Sequence, residues 1–336
     1  MNDQANTGGA GIGRRRFLGG AVAGGAGLLA ASAWPAAADV ADERRKRSGS
    51  LGMGMRWLGV SGWELRFDGH VLWFDPYVSR FDYRADGGAL RVRPDVIEHL
   101  LATGQLSGPP EAIMVSHGHW DHMADVPYFL NRPQWSSTPI ITLGTETNRN
   151  LLTAMGVEPR RSSNLVQVVG GEYLSFADGE YTVRVVRSLH SQSANYGYFA
   201  PGTRTSPPPP PQTIHDLVEG STLAYVVTVP ERFSILLFGG TNFDEQELAG
   251  LRPDVVAVSM TSHTAVHAYL DRLLTVLGEP RYVMPCHHDD MVTGYDDPNL
   301  AETVDQRAVQ ELREAVRRLR LRSEVIAPEH LVEVSL

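Results

Sequence analysis

Three histidines and one aspartate crowd into a single turn of this chain, and this cluster constrains the fold more than any other feature. The turn reads Ser116-His117-Gly118-His119-Trp120-Asp121-His122. The apolar run 112–115 before it predicts a short buried strand, and the run 123–130 after it predicts the start of a helix. Imidazole and carboxylate groups are the ligands that zinc and iron take in proteins. The sequence therefore predicts a metal site on a strand-to-helix turn, where the loops of α/β proteins carry their chemistry.

Two further histidines follow predicted strands in the same way. His190 comes after the strand predicted at 181–188, and His287 comes after the strand predicted at 282–285. Ligands of open α/β sheets bind outside the carboxyl ends of the strands. The sequence therefore predicts that both histidines join the cluster at 117–122.

The remaining patterns predict a layered α/β protein with two sheets inside and helices outside. Meandering strands come first, then strand–turn–helix units, and the second half repeats this alternation. Strands are predicted at 55–60, 63–67, 71–74, 112–115, 139–143, 165–169, 173–176, 181–188, 223–229, 234–238, 255–259, 282–285, 325–326 and 331–334. Helices are predicted at 94–101, 126–130, 146–155, 243–249, 266–277 and 308–319.

Composition limits the classes of partner. The 336 residues carry a formal net charge of -9, and no basic patch of the kind that binds nucleic acid stands out, so no nucleic-acid partner is predicted. The single cysteine, Cys286, allows no intramolecular disulfide and is predicted to be a small buried side chain.

The N-terminal segment has the pattern of an export signal. Arg14-Arg15-Arg16-Phe17-Leu18 precedes a glycine- and alanine-rich run at 19–33, and Ala36-Ala37-Ala38 supplies a small-residue cleavage site. The apolar run is shorter than the ~20 residues of a membrane span, so no stable span is predicted in the mature protein. We expect a signal peptide at 1–38, a linker at 39–54 and a catalytic domain at 55–336.

The arginine pair followed by x-Phe-Leu resembles a twin-arginine translocation signal. The resemblance implies the twin-arginine translocase as a partner. It also implies a periplasmic, cell-envelope or extracellular location.

The histidines and aspartate resemble, in order and spacing, those of the metallo-β-lactamase superfamily of hydrolases. The similarity covers about 55–336 and implies a four-layer αββα sandwich. More narrowly, Trp57-Leu58-Gly59 and Asp75-Pro76 are similar to motifs of one branch. That branch contains the ascorbate-lactonase and N-acylphosphatidylethanolamine phospholipase D type enzymes.

The resemblance also implies the ligands and the chemistry. His117, His119 and His190 would bind a first metal. Asp121, His122 and His287 would bind a second. The implied cofactor is zinc, as one or two ions, with other divalent metals possible. A metal-bound hydroxide would attack an ester, lactone or phosphodiester-type group of a small-molecule or lipid-like substrate.

One position departs from the family pattern. Most members carry a bridging aspartate in a G-D-T-like turn, but Thr241 stands there in this chain. Three possibilities remain open. Asp244 could reach the metals, Asn242 could supply a neutral oxygen, or the metals could be joined by hydroxide without a protein bridge. The departure also leaves open a non-catalytic metal-binding or sensory protein that keeps the fold.

Other polar residues are candidates for supporting roles. The candidate catalytic residues are Asp121 and His263. Asp121 is also a candidate ligand, and His263, which follows the strand predicted at 255–259, is a candidate proton donor. Asp75 is a candidate for orienting a ligand histidine. Strand alternation after His287 would turn the next residue away and bring Asp289 back toward the metals.

Overall fold

Two seven-stranded sheets form the centre of the computed structural model, which describes residues 49–336. The predicted signal peptide and most of the predicted linker lie outside the described residues. The final residues of that linker segment belong to the folded unit. Met53 is buried, and the Gly52 amide and the Ser50 hydroxyl both donate to the Leu336 carbonyl, at 3.0 and 2.6 Å.

The first sheet is built mainly from the N-terminal half of the described chain. Its strands are β1 (Gly54–Gly59), β2 (Gly62–Phe67), β3 (His70–Phe74), β4 (Ala112–Met114), β5 (Ile141–Gly144), β6 (Leu165–Gln167) and β14 (Glu333–Ser335). Their order is β14-β1-β2-β3-β4-β5-β6. Pairing is antiparallel from β14 to β3 and parallel from β3 to β6.

The second sheet repeats this plan. Its strands are β7 (Tyr173–Phe176), β8 (Tyr181–Arg187), β9 (Leu223–Val229), β10 (Phe233–Phe238), β11 (Val255–Ser259), β12 (Tyr282–Cys286) and β13 (Glu324–Val325). Their order is β13-β12-β11-β10-β9-β8-β7. Pairing is antiparallel from β7 to β10 and parallel from β10 to β13.

Seven α-helices lie among the described residues. They are α1 (Pro94–Ala102), α2 (Trp120–Met123), α3 (Val126–Asn131), α4 (Glu146–Ala154), α5 (Glu245–Leu248), α6 (Tyr269–Leu277) and α7 (Gln306–Arg318). Several helices follow a parallel strand, as expected where each crossover must return the chain to the same end of the sheet.

Side-chain alternation on the strands separates three apolar layers. On β3, Phe74 faces the other sheet, where it shares a core with Tyr225 of β9, while its neighbour Trp73 faces the helices and packs near Phe129 of α3. The second sheet has its own helix-facing core, in which Leu236 of β10 joins the buried residues of α6 and α7. The order helix, sheet, sheet, helix confirms the predicted four-layer αββα sandwich.

The strand directions bring the chemistry-bearing residues to one end. Strands β3 and β4 are parallel, as are β10, β11 and β12, and β8 runs in the same direction as β10. The carboxyl ends of β3, β4, β8 and β12 lead into Asp75, the turn at 117–122, His190 and His287. Hydrogen bonds described below join these segments, so the ends of the two sheets meet at one site.

Candidate metal centre

Three imidazoles converge after β4 and β8. The Nδ1 atom of His119 lies 3.1 Å from Nε2 of His117 and 3.0 Å from Nε2 of His190. A zinc ion that binds imidazole at about 2.0–2.1 Å holds tetrahedral ligands about 3.3 Å apart. The three nitrogens therefore have the spacing of ligands to one cation.

Hydrogen bonds on the far side of the rings direct the lone pairs inward. His190 Nδ1 lies 2.6 Å from the Ser191 carbonyl, and His119 Nε2 lies 3.3 Å from the Ala200 carbonyl. A carbonyl only accepts, so these nitrogens carry the protons and the opposite nitrogens carry free lone pairs. Burial lowers the pKa of His117, brings that of His119 to about 4 and that of His190 to about 3. These lowered pKa values favour neutral rings, the form in which imidazole binds a metal.

A second group adjoins the first. Asp121 Oδ2 lies 3.4 Å from Nε2 of His122 and 3.4 Å from Nε2 of His287, and all three side chains are buried. Burial opposes ionisation of Asp121, but the two imidazoles outweigh it and hold the pKa of its carboxyl well below the usual range. Burial likewise disfavours a charged His122, yet Asp121 and Asp75 raise its pKa to about 10. At neutral pH such a ring carries protons on both nitrogens, and a divalent cation bound beside Asp121 would replace the proton on Nε2 of His122.

Asp75 organises the second group from behind. Its buried carboxylate accepts the Ser116 amide at 2.7 Å on Oδ1. On Oδ2 it accepts the hydroxyls of Ser61 and Ser116, at 2.9 and 2.6 Å, and His122 Nδ1, at 2.8 Å. The proton of His122 is thereby held on Nδ1, and Nε2 faces Asp121 as a ligand atom. Asp75 occupies the position that the predicted orienting role requires.

The close approach of the two sheets at this point depends on a glycine. A Cβ at Gly239, just after β10, would lie 2.0 Å from Ser116 Oγ and 2.7 Å from Asp75 Oδ2. Both atoms belong to the network that orients His122. Only a residue without a side chain allows the turn after β10 to pass here.

The Gly239→Ala variant is therefore expected to bind the second metal more weakly. Overpacking of this kind costs about 1–3 kcal/mol, and here the atoms that must move are those of Ser116 and Asp75. Metal content by mass spectrometry and thermal unfolding should both fall relative to the parent. Gly49→Ala is the matched control, since a Cβ there meets nothing within 4 Å. Unchanged metal content in Gly239→Ala would contradict the expectation.

The three possibilities for the missing bridge are distinguished by local hydrogen bonds. The buried Thr241 hydroxyl pairs with the Ser259 hydroxyl at 2.8 Å. Asn242 Oδ1 accepts the Phe243 amide at 3.0 Å. Asp244 is exposed and caps α5 by accepting the Gln246 amide at 2.8 Å. Of these residues, Asp244 is the only carboxylate, and it belongs to neither ligand group. Asp244 is thereby engaged at the helix start, and Thr241 and Asn242 are each engaged in a local hydrogen bond.

The predicted proton donor His263 lies outside both ligand groups. Its Nδ1 lies 2.8 Å from the Met260 carbonyl, and its Nε2 pairs with the Glu311 carboxylate. It shares with His287 the wall of a cavity of about 410 Å³. His263 therefore faces the same cleft as a ligand candidate, with both ring nitrogens engaged.

The expectation that Asp289 turns back toward the metals is wrong. Its buried carboxylate accepts from Arg80 at 2.7 Å, from His330 at 2.9 Å and from the Val60 amide at 3.1 Å. Strand alternation ends at His287, whose φ of 54° lies in the left-handed region. The following His288 stacks on Trp57, with ring centroids 4.8 Å apart.

Sequence reasoning missed the two serines of the Asp75 network. Ser61 lies in the turn between β1 and β2, and Ser116 directly precedes His117. The second position could have been suspected from its place next to a ligand at a strand end. No sequence pattern connects Ser61 with Asp75, because their contact depends on the packing of the sheet.

Comparison with known proteins identifies the class. The family described as the beta-lactamase superfamily domain matches residues 54–287, and the chain belongs to this family. The predicted metallo-β-lactamase superfamily is thereby confirmed. No curated protein sequence matches the chain at a significant level.

Solved structures share the fold at low sequence identity. An isothiocyanate hydrolase from Delia radicum gut bacteria aligns with a TM-score of 0.53 and 16% identity, over 84% of this chain and 99% of that one. YhfI from Bacillus subtilis, a metallo-beta-lactamase fold protein, aligns at 0.51 and 12%, over 84% and 99%. A possible metal-dependent hydrolase from Veillonella parvula DSM 2008 aligns at 0.51 and 15%, again over 84% and 99%. These similarities concern the fold.

Proposed function

We propose that this chain is an exported hydrolase that uses one or two zinc-like ions to cleave an ester, lactone or phosphodiester-type bond. The observation that carries the proposal is the pair of adjacent ligand groups at the carboxyl ends of the strands. Each group offers three protein ligands, which leaves coordination positions open for water and substrate, as in catalytic rather than structural sites.

The division of labour among the residues follows from their contacts. His117, His119 and His190 would hold the first cation. The Ala200 carbonyl keeps His119 in the tautomer that can bind a metal, and the Ser191 carbonyl does the same for His190. A bound divalent cation lowers the pKa of a water ligand and polarises a carbonyl or phosphoryl oxygen.

The second group supplies the negative charge of the site. Asp121, His122 and His287 would hold the second cation. Asp75 orients the ring of His122 by accepting its Nδ1 proton. Asp121 is the carboxylate that both imidazoles face, so it is the side chain best placed to balance charge there. His263 borders the same cleft and is proposed to deliver a proton to the leaving group from Nε2, on release of its contact with Glu311.

A metal analysis combined with a substrate screen tests this function. Protein purified without added zinc is expected to contain metal, and to hydrolyse at least one member of a panel of esters, lactones and phosphodiesters. A chelator should abolish that turnover, and added zinc should restore it. Protein that binds no metal would end the proposal.

A non-catalytic metal-binding or sensory protein is the second candidate. The observation that favours it is the Thr241 hydroxyl, which pairs with Ser259 where most of the family has a bridging carboxylate. Metal bound with high affinity, together with no turnover of any compound in the panel, would favour this alternative.

The proposed branch of the superfamily and the proposed cellular location both rest on sequence motifs. The Trp57-Leu58-Gly59 and Asp75-Pro76 motifs support the ascorbate-lactonase and N-acylphosphatidylethanolamine phospholipase D-like branch. The signal-like segment supports export through the twin-arginine translocase, to the periplasm, the cell envelope or the medium. Within 49–336, no helix is both long and apolar enough to cross a membrane.

Replacing Arg14 and Arg15 by lysine is expected to stop export. Twin-arginine signals depend on the arginine pair itself, whereas a lysine pair keeps the charge. In a bacterial host, the variant should accumulate in the cytoplasm as uncleaved precursor, measured by fractionation and immunoblotting. Arg16→Lys is the control and should be exported like the parent. Equal export of the lysine-pair variant would contradict the assignment of the signal.

A further inference from the structure

Exposed apolar side chains of the described residues are concentrated in one segment next to the metal centre. Large hydrophobic side chains are exposed at seven positions, and four of these fall within 189–199: Leu189, Tyr196, Tyr198 and Phe199. Scattered single exposures need no explanation, but a contiguous group marks a binding surface.

Two of these rings pack directly on metal-ligand candidates. The ring of Tyr198 lies 4.9 Å from that of His190, and the ring of Phe199 lies 5.3 Å from that of His119, between centroids. Both side chains remain 37–40% exposed, so each ring presents one side to the protein and another to solvent. We call Tyr198 and Phe199 the aromatic pair.

The backbone holds the aromatic pair in place. The Ala200 carbonyl accepts from the Glu219 amide at 3.0 Å, and the turn at 193–197 is closed by the Ser193 amide on the Gly197 carbonyl at 2.7 Å. The ring of Phe199 also contacts that of His215, at 5.0 Å. An apolar surface held in advance costs little ordering when a ligand binds.

The charges around the aromatic pair disfavour an anionic ligand. The segment 189–219 contains a single arginine, Arg204, and two acids. The Arg204 guanidinium donates to the Thr203 carbonyl at 3.1 Å. The acidic residue Glu219 lies beside the pair, because its amide donates to the carbonyl of Ala200, the residue after Phe199, at 3.0 Å. Phosphate recognition relies on arginine, lysine or backbone amides, and Arg204 is the only arginine or lysine of this segment.

We propose that the aromatic pair binds an apolar substituent of a neutral ester or lactone substrate and so sets the substrate preference. The inference rests on the proposed hydrolase function and narrows it, because it favours neutral carboxylic substrates over phosphodiesters. The apolar group lies against Tyr198 and Phe199, and the carbonyl is thereby brought beside His119 and His190.

Binding to metal-free protein tests the proposal separately from turnover. The probes are γ-butyrolactone, γ-nonalactone, which adds a pentyl chain, and diphenyl phosphate as an anionic aryl compound. Calorimetric titration of the full-length metal-free chain should show γ-nonalactone binding about tenfold or more tightly than γ-butyrolactone, the discrimination expected of an apolar pocket. Diphenyl phosphate should bind more weakly than γ-nonalactone.

Variants assign that preference to the aromatic pair. Tyr198→Ala/Phe199→Ala should bring the affinities for the two lactones to within about twofold of each other, and Tyr198→Phe should keep the preference because it keeps the ring. Tyr173→Ala/Val332→Ala removes exposed apolar side chains elsewhere and should behave like the parent. Near-ultraviolet circular dichroism checks that each variant is folded. In the metal-loaded protein, the ratio of kcat/KM for the two lactones should follow the same order.

The other outcomes are decisive as well. Equal affinity of the parent for both lactones, a preference that survives the double alanine variant, or tighter binding of diphenyl phosphate would overturn the inference. Loss of a dimer in the double variant, without any change in lactone affinity, would assign the surface to self-association and would also overturn it. Chain-length-dependent binding without turnover of any substrate would instead count against the proposed hydrolase and leave the aromatic pair as a ligand site.

Discussion

The His117→Ala/His119→Ala variant is expected to lose the first metal and to lower turnover by about 1000-fold or more. Two of the three imidazoles that converge at 3.0–3.1 Å disappear, and one remaining histidine does not retain a cation against solvent. A catalytic metal contributes several kcal/mol of transition-state stabilisation, and 1000-fold corresponds to about 4 kcal/mol. Metal content by mass spectrometry and turnover of the substrate found in the screen check this result.

The matched control replaces two exposed histidines outside both ligand groups, His99→Ala/His267→Ala. It should keep the metal content and turnover of the parent. Circular dichroism of both double variants separates loss of metal from loss of fold. Turnover that survives in folded His117→Ala/His119→Ala protein would show that the reaction does not depend on this group, and would sink the proposed mechanism.

The fold was largely predictable because its strands are buried and regular. The predicted strands 223–229 and 255–259 agree with β9 and β11 at both ends, since continuous apolar runs between turn residues mark buried strands. Helix starts were less predictable. The helix predicted at 266–277 begins at Tyr269, because His263–Ala265 form a separate turn and Ala268 has a φ of 46°. Backbone geometry of this kind has no apolar periodicity to reveal it.

The ligand groups were predictable from a resemblance in spacing, whereas their surroundings depended on tertiary contacts. Asp289 was misplaced because a left-handed residue, His287, interrupts the alternation that a strand would continue. The role of Asp244 could not be predicted, because the same local sequence is compatible with an aspartate that caps a helix and with one that binds a metal. The Asp75 network joins β1, β3 and β4, and no local pattern predicts it.

Asp75→Asn is expected to weaken the second metal site about 10- to 100-fold while leaving the first site loaded. The Ser116 amide needs an acceptor at the Oδ1 position, so the new amide NH₂ must take the place of Oδ2. That position faces His122 Nδ1 at 2.8 Å, and two donors cannot share a hydrogen bond. His122 must then move its proton to Nε2, the atom that faces Asp121 and would bind the metal.

The affinity of the second site for metal reports this change of tautomer in His122. Titration with a competing chelator should show one metal per chain at parental affinity and a second that is lost early, and turnover should fall with the second metal. Asp254→Asn is the control, because that carboxylate accepts the Ser234 amide at 2.7 Å before β11, at the end of the strand opposite the site. It should lower thermal stability without changing metal stoichiometry. If Asp75→Asn retained both metals at parental affinity, the Asp75 carboxylate would not be what holds His122 in its metal-binding tautomer. The prediction would then be wrong.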